Sequence, residues 1–496
     1  LAENLFGVEH SSVATVLCNL GLLLEQTNRL AEAEPMMRRA LKITEATDGP
    51  EHPRITASLS NIALLLMDTN RLAEAEPLLR RALKIDEAAY GPEHPEVATD
   101  LNNLARLLKA TNRLAEAEPL MHRALAISEA AHGPEHPTVA VRLNNLAQLL
   151  HDTNRLAEAE PLLRRALAID EVAYGLEHPT VAVHLNNLAQ LLQDTNRLTD
   201  AEPLMRRALD IGEATYGPGH PVVALQLNNM AVLLQETSRL AEAEPLMGRA
   251  LAIDEASFGK DNPRVARDLN NLALLLKATN RLAEAEPLMR RALAIDEAAY
   301  GPVHPSVAMD LNNLAQLLKD TNRLAEAEPL MRRALDIDEA AYGPEHPGVA
   351  RDLNNLALLL KDTNRFAEAE PLMRRALALG EATYGPDHPT VALRLNNLAQ
   401  LLQDTKRLAE AEPLMRRALV IDEAAFGSEH AAVATDLENL ALLLQDTNRL
   451  AEAEPLMRRA LVIYEASYGQ EHPKAIWARK YLANLEQADQ SKLEGA

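Results

Sequence analysis

Aromatic side chains make up only 3% of this 496-residue sequence, and cysteine occurs once, at Cys18. With apolar residues at 47%, the core has to be built from Leu, Ala, Ile and Met, which suits helix packed on helix. One cysteine excludes an intrachain disulfide framework and a cysteine-based zinc site, and it fits a reducing, cytoplasmic setting. No apolar run approaches the roughly 20 residues of a membrane span, and the opening "LAENLFGVEH" lacks the basic then apolar order of an export signal. Lys and Arg number 50 against 72 Asp and Glu, a formal charge of −22. Nucleic acid binding needs clustered cations on the surface, so neither nucleic acid nor membrane is expected as a partner.

The sequence also lacks an H-E-x-x-H pair, a P-loop and a G-x-S-x-G turn, and Cys18 has no evident partner that would activate it. No enzyme activity, cofactor or metal site is expected. Eleven histidines recur from His10 to His472, but ligands one repeat apart do not converge on one ion. The chain opens without Met and inside a repeat, which reads as a segment cut from a longer protein.

What is present is repetition. Glycine returns every 42 residues from Gly7 to Gly469, and "TNRLAEAEPLMRRAL" stands unchanged at 279, 321 and 447. A period of this size signals a solenoid or array. In residues 94–133, Val97, Leu101, Leu104, Ala105 and Leu108 follow helical spacing, as do Leu114, Ala117, Met121, Ala124 and Leu125. Each unit is therefore read as two helices. The first begins at Pro95 with His94 as its cap, a place taken by Asn262 in one repeat. The second starts near Leu114 and ends at Gly133, the residue suited to a left-handed cap. Glu160 and Arg164 stand at i and i+4 and are expected to pair.

The segments "LNNLA", "RLAEAEPLMRRAL" and "YGPEHPTVA" resemble the tetratricopeptide repeat, in the long 42-residue form of kinesin light chain-like proteins. The resemblance covers essentially the whole chain and implies an all-α, right-handed superhelical solenoid of stacked antiparallel helix pairs. Residues 1–9 read as the end of a preceding truncated repeat, 10–472 as eleven repeats, 473–488 as a capping helix and 489–496 as a polar tail. Arg479 and Glu486 stand where other units carry Leu, as the polar outer face of a terminal unit requires.

The motif "LNNLAQLL" at 143, 185, 311 and 395 sets paired asparagines into an apolar stretch. Stepping by 100° per residue from Leu104 puts Asn103 well away from the stripe of Leu101, Leu104 and Leu108, with Asn102 and Lys109 bordering its face. In tetratricopeptide arrays the first helices line the concave surface, so the resemblance implies that this asparagine faces the groove. Its counterparts are Asn61, Asn145, Asn187, Asn229, Asn271, Asn313, Asn355, Asn397 and Asn439. An amide can pair with both C=O and N–H of a peptide backbone, so the row resembles the asparagine ladder of long tetratricopeptide superhelices. The same asparagines could equally tie one first helix to the next.

Selectivity is expected from positions that vary beside this row: Arg106, Gln148, Gln190, Gln316 and Gln400, then Lys109, His151, Lys277, Lys319 and Lys361, with Arg267 and Arg351 one turn earlier. Residues 264–361 form the most basic stretch, diluted by Asp320 and Asp362. Most units lack the Lys and Arg of a terminal-carboxylate clamp. The function expected is a scaffold that binds an extended peptide or protein segment in the groove. The alternative is a sensor arm of a larger signalling or defence protein of the bacterial multidomain kind, with its switch or effector domain outside this segment.

Overall fold

The computed structural model describes residues 7, 9–26, 29–195 and 197–494. Among them are 23 α-helices, one 3₁₀ turn at Pro53–Ile55 and no strand. The helices form eleven successive antiparallel pairs, from Ser11–Gln26 with Leu30–Asp48 to Ala431–Asp446 with Leu450–Tyr468, followed by Pro473–Glu494. That last helix runs past residue 488, where the capping helix was expected to end.

Local chemistry sets each boundary. In the third repeat the first helix spans Pro95–Ala110, and Nδ1 of His94 accepts from the Glu96 N–H at 3.3 Å. Oδ1 of Asn262 does the same for Arg264 N–H at 3.0 Å, so the histidine row is a row of helix caps. Most of these rings also stack on the ring four residues before, as His94 does on Tyr90 at 4.6 Å. The first helix ends at Thr111 with Asn112 at φ 58°, the left-handed region that Asn tolerates best after Gly. Arg113 N–H then bonds Leu108 C=O at 2.7 Å and Asn112 N–H bonds Lys109 C=O at 3.0 Å, closing a Schellman turn.

The second helix, Leu114–His132, starts where expected, but Gly133 adopts φ 88° and ψ 156° in place of the left-handed helical conformation. That extended positive-φ region is open essentially to glycine alone. It sends the chain straight into the next unit's cap. The left-handed helix cap belongs to the "TNR" turn.

Leu101, Leu104, Ala105 and Leu108 of the first helix and Ala117, Met121 and Ala124 of the second are fully or almost fully buried. The positions of Leu104, Ala105, Leu108, Ala117 and Met121 join across successive repeats into two long cores, whereas Leu101 and Ala124 pack with Val97, Ala98 and Ile127 in a smaller cluster within the repeat. Glu160 and Arg164 pair at 2.7 Å, and Glu160 also takes Arg197 from the next repeat at 2.9 Å. Backbones of successive first helices approach one another, whereas those of successive second helices show no such approach among the described residues. The stack therefore curves with its first helices inside.

The curvature brings repeats five to six units apart face to face. Thr111–Glu116 and Tyr342–His346, with Arg375, border a cavity of about 830 Å³. Another of about 400 Å³ lies between Arg29–Glu34 and the Ala299–His304 region. Successive turns thus face each other across open space.

Candidate peptide groove

All ten asparagines of the expected ladder, Asn61, Asn103, Asn145, Asn187, Asn229, Asn271, Asn313, Asn355, Asn397 and Asn439, are half-buried on the inner helices. Eight of them follow another asparagine, and that one behaves differently. Asn102, Asn144, Asn228, Asn270, Asn312, Asn354 and Asn396 are buried at the joint with the next repeat, deeper than a border position on the groove face. The 100° step placed Asn102 beside the groove because it left out the neighbouring repeat, which covers it.

These inner asparagines meet a buried polar position on the following first helix, and that position varies. It is Asp100, Arg142, His184, Gln226, Asp268, Asp310, Asp352, Arg394 and Asp436 in turn, all buried except Arg142, which is half-buried. Facing it from the preceding second helix stand Asp86, Ser128, Asp170, Gly212, Asp254, Asp296, Asp338, Gly380 and Asp422. The pairs are matched by size. A Cβ on Gly212 would fall 2.0 Å from Oε1 of Gln226, and one on Gly380 would fall 2.4 Å from Nη1 of Arg394. His184, isolated in the sequence, is buried with Nε2 at 3.0 Å from Asp170 Oδ2.

Where Asp faces Asp, two acceptor-only groups can satisfy each other only by holding a proton. Burial pushes Asp296 up to about 6. Burial first, and then the Asp296 charge, push Asp310 up to about 7. Burial likewise raises Asp100, Asp338 and Asp422, with the charges of Asp86, Asp352 and Asp436 adding to it.

Hydrogen bonding of the paired asparagines follows the buried residue. Where it is Asp, the inner asparagine donates Nδ2 to it: Asn228 to Asp268 at 2.8 Å, Asn270 to Asp310 at 2.5 Å, Asn312 to Asp352 at 2.8 Å and Asn396 to Asp436 at 2.5 Å. Where it is Arg or His, the ladder asparagine of that repeat instead donates back to the inner one. Asn145 bonds Asn102 at 2.7 Å, Asn187 bonds Asn144 at 2.6 Å and Asn397 bonds Asn354 at 2.9 Å. Asn61 donates to Cys18 Sγ at 3.4 Å, and Asn439 accepts from Gln400 at 3.4 Å.

The expected selectivity positions fall beside the row, and most of their charge is already paired. Lys109, Lys277 and Lys319 each reach an aspartate of the next repeat at 2.8 Å, namely Asp152, Asp320 and Asp362, and Lys361 reaches Asp404 at 3.2 Å. His151 contacts Asp194, and the hydrogen bonds its ring donates to Asp152 and then Asp194 raise its pKa to about 9. Arg267 is held by Asp254 and Asp268 at 3.3 and 3.1 Å, and Arg351 by Asp338 and Asp352 at 3.1 and 2.9 Å. Gln316 donates to Asp320 at 3.3 Å, while Arg106, Gln148 and Gln190 are exposed.

One set of groove residues was missed in the sequence. Val141, Val183, Leu225, Met309 and Leu393 occupy the register of Arg267 and Arg351 and are exposed. Their signal was an aliphatic residue at a helix position off the buried stripe. Val232, Leu274 and Asn271 also border a cavity of about 400 Å³ with Met247, Gln235 and Glu236. The inner surface is thus mixed apolar and amide, with little unpaired charge.

The tetratricopeptide repeat description matches residues 54–121, 101–171, 180–256, 223–298, 269–340, 307–382, 354–424 and 390–464, and a second of the same name matches 13–54. No curated protein matches the sequence. Among solved structures, the nearly identical TPR-like repeats of a Podosopora anserina putative kinesin light chain are 23% identical over 42% of this chain and 98% of their own, with a TM-score of 0.36. BtubC (BKLC) from P. vanneervenii is 23% identical over 48% of this chain and 93% of its own, with a TM-score of 0.39. Yeast Tom70 is 15% identical over 96% of each chain, with a TM-score of 0.46.

Proposed function

Because the chain belongs to the tetratricopeptide repeat family, a scaffold for protein–protein interaction, we propose that it binds an extended polypeptide segment along the inner surface made by its first helices. The observation that carries this reading is a run of four consecutive ladder amides, Asn229, Asn271, Asn313 and Asn355. They are half-buried, and none makes a side-chain hydrogen bond among the described residues. Each offers a donor and an acceptor at repeat spacing, which suits the alternating N–H and C=O of an extended backbone. Aliphatic side chains at Leu225, Val232, Leu274 and Met309 provide apolar contacts beside them. Of the expected selectivity positions, Gln316 lies in the same run of repeats and reads the ligand's polar groups, whereas Arg106, Gln148, Gln190 and Gln400 lie outside it.

Binding without covalent chemistry, in the cytoplasm, is the role that follows, and the paired cations leave little attraction for nucleic acid or an anionic membrane surface. No helix among the described residues is long and apolar enough to cross a membrane. The test is selection of dodecapeptides by display on the wild-type chain, followed by titration of the enriched peptide into a variant with Asn271, Asn313 and Asn355 changed to Ala. Loss of affinity with an unchanged melting profile supports the groove. Equal affinity for both proteins refutes it.

The second reading, a sensor arm, draws on the open space between facing turns. In it, the same ligand changes the pitch of the solenoid. Small-angle scattering with and without the selected peptide would show a changed radius of gyration, and an unchanged radius would remove this reading.

A further inference from the structure

The ladder amides are chemically equivalent in sequence, yet the structure divides them into two states. Asn145, Asn187 and Asn397 are tied to the preceding repeat, whereas Asn271, Asn313 and Asn355 are not. In these six repeats the division follows the polar residue three positions earlier on the same helix: the half-buried Arg142 and the buried His184 and Arg394 accompany the tied amides, and the buried Asp268, Asp310 and Asp352 the free ones. The reason lies in donor and acceptor counts. An arginine has no acceptor for the inner asparagine's N–H, so nothing draws that side chain away and its Oδ1 stays with the ladder amide. An aspartate paired with another aspartate is rich in acceptors and takes the N–H of the inner asparagine, which turns that side chain away from the ladder.

We propose that this buried polar position selects which repeats of the groove bind peptide backbone, confining the main site to the repeats carrying Asn229, Asn271, Asn313 and Asn355. The inference rests on the groove reading above and deepens it. Asp268, Asp310 and Asp352 are positioning residues: they are buried, do not reach the ligand, and act through Asn228, Asn270 and Asn312. Neighbouring helices pack roughly 8–10 Å apart, and an extended chain advances about 3.3 Å per residue, so roughly three ligand residues fall on each repeat. The ligand is an extended segment of roughly a dozen residues, with apolar side chains meeting Leu225, Val232, Leu274 and Met309 and no requirement for a strong charge. Repeats with tied amides on either side bound the site.

The test transplants a pair that this solenoid already accommodates. Asp296→Gly with Asp310→Arg recreates at the eighth repeat the Gly380 and Arg394 arrangement, and Gly380→Asp with Arg394→Asp makes the reverse exchange. The probe is the dodecapeptide selected on the wild-type chain. The first exchange is expected to weaken its binding about fivefold, as Asn313→Ala does, and to add nothing when combined with Asn313→Ala. In the side-chain amide spectrum of asparagine-labelled protein, the Asn313 signal should become protected from solvent exchange, and the reverse exchange should expose that of Asn397. Should Asn313→Ala weaken binding while the exchange does not, and Asn313 stay exposed, the selector role is overturned and the groove stands. An Asn313→Ala variant that binds as well as wild type overturns both. If the first exchange fails to fold, exposure of Asn397 in the reverse one decides: protection retained there overturns the proposal.

Discussion

Nη1 of Arg394 occupies the space that a Cβ on Gly380 would need, with 2.4 Å between the two positions. Glycine inside a helix costs about 1 kcal/mol relative to alanine, so its presence at Gly380 and Gly212 is explained by the large polar side chain each admits from the next repeat. These matched pairs give each joint its own complementarity in a chain of otherwise near-identical units.

Gly380→Leu is therefore expected to destabilise by roughly 1–3 kcal/mol through overpacking, despite its better helix propensity. Arg394→Ala in the same chain should recover much of the loss. Chemical denaturation of the single and double variants measures the coupling. Additive losses would contradict the pairing.

The acidic pairs make stability depend on pH. Asp296 and Asp310 have folded pKa values of about 6 and about 7, above the unfolded value near 4. The folded state thus binds more protons than the unfolded state between these limits. Their stabilising contribution is full below about pH 4 and is lost as pH rises through about 6 to 7. Melting should occur several degrees lower at about pH 8.5 than at about pH 5.5, with Asp310→Asn narrowing the gap. A melting temperature that rises over that interval would contradict the raised carboxyl groups.

Asn112 holds a left-handed conformation at φ 58°. Asn112→Val should cost about 2 kcal/mol or more, and Asn112→Gly should be neutral or stabilising. Urea titration distinguishes the two. The Ser238 and Lys406 counterparts, at φ 59° and 62°, are expected to gain stability on change to Gly or Asn.

Because Lys277, Lys319 and Lys361 are already paired with Asp320, Asp362 and Asp404, ligand binding in the groove should respond weakly to salt. Raising ionic strength from about 0.05 to 0.5 M should change the Kd of the selected dodecapeptide less than about threefold. A steep salt dependence would instead mean that these lysines leave their aspartates to meet an acidic ligand.

The helix pairs, the histidine caps and the second-helix start at Leu114 were legible because each rests on local spacing within one repeat. So was the half-buried ladder row, set by its angle from the leucine stripe. The depth of Asn102 and its counterparts was not, since the surface covering them belongs to the neighbouring repeat. The partner of His184, the space beside Gly380 and the division of ladder amides are likewise products of stacking. They arise between residues 14 or about 40 positions apart, where periodicity alone gives no contact. Gly133 was read as a left-handed cap from its type, and its observed φ and ψ show that the joint demands an extended exit instead.

The most direct measurement is the side-chain amide spectrum of asparagine-labelled protein as the selected dodecapeptide is titrated. The account predicts shifts at Asn229, Asn271, Asn313 and Asn355 that saturate together, with Asn145, Asn187 and Asn397 unmoved. Binding that leaves all four signals in place would place the ligand elsewhere and contradict it.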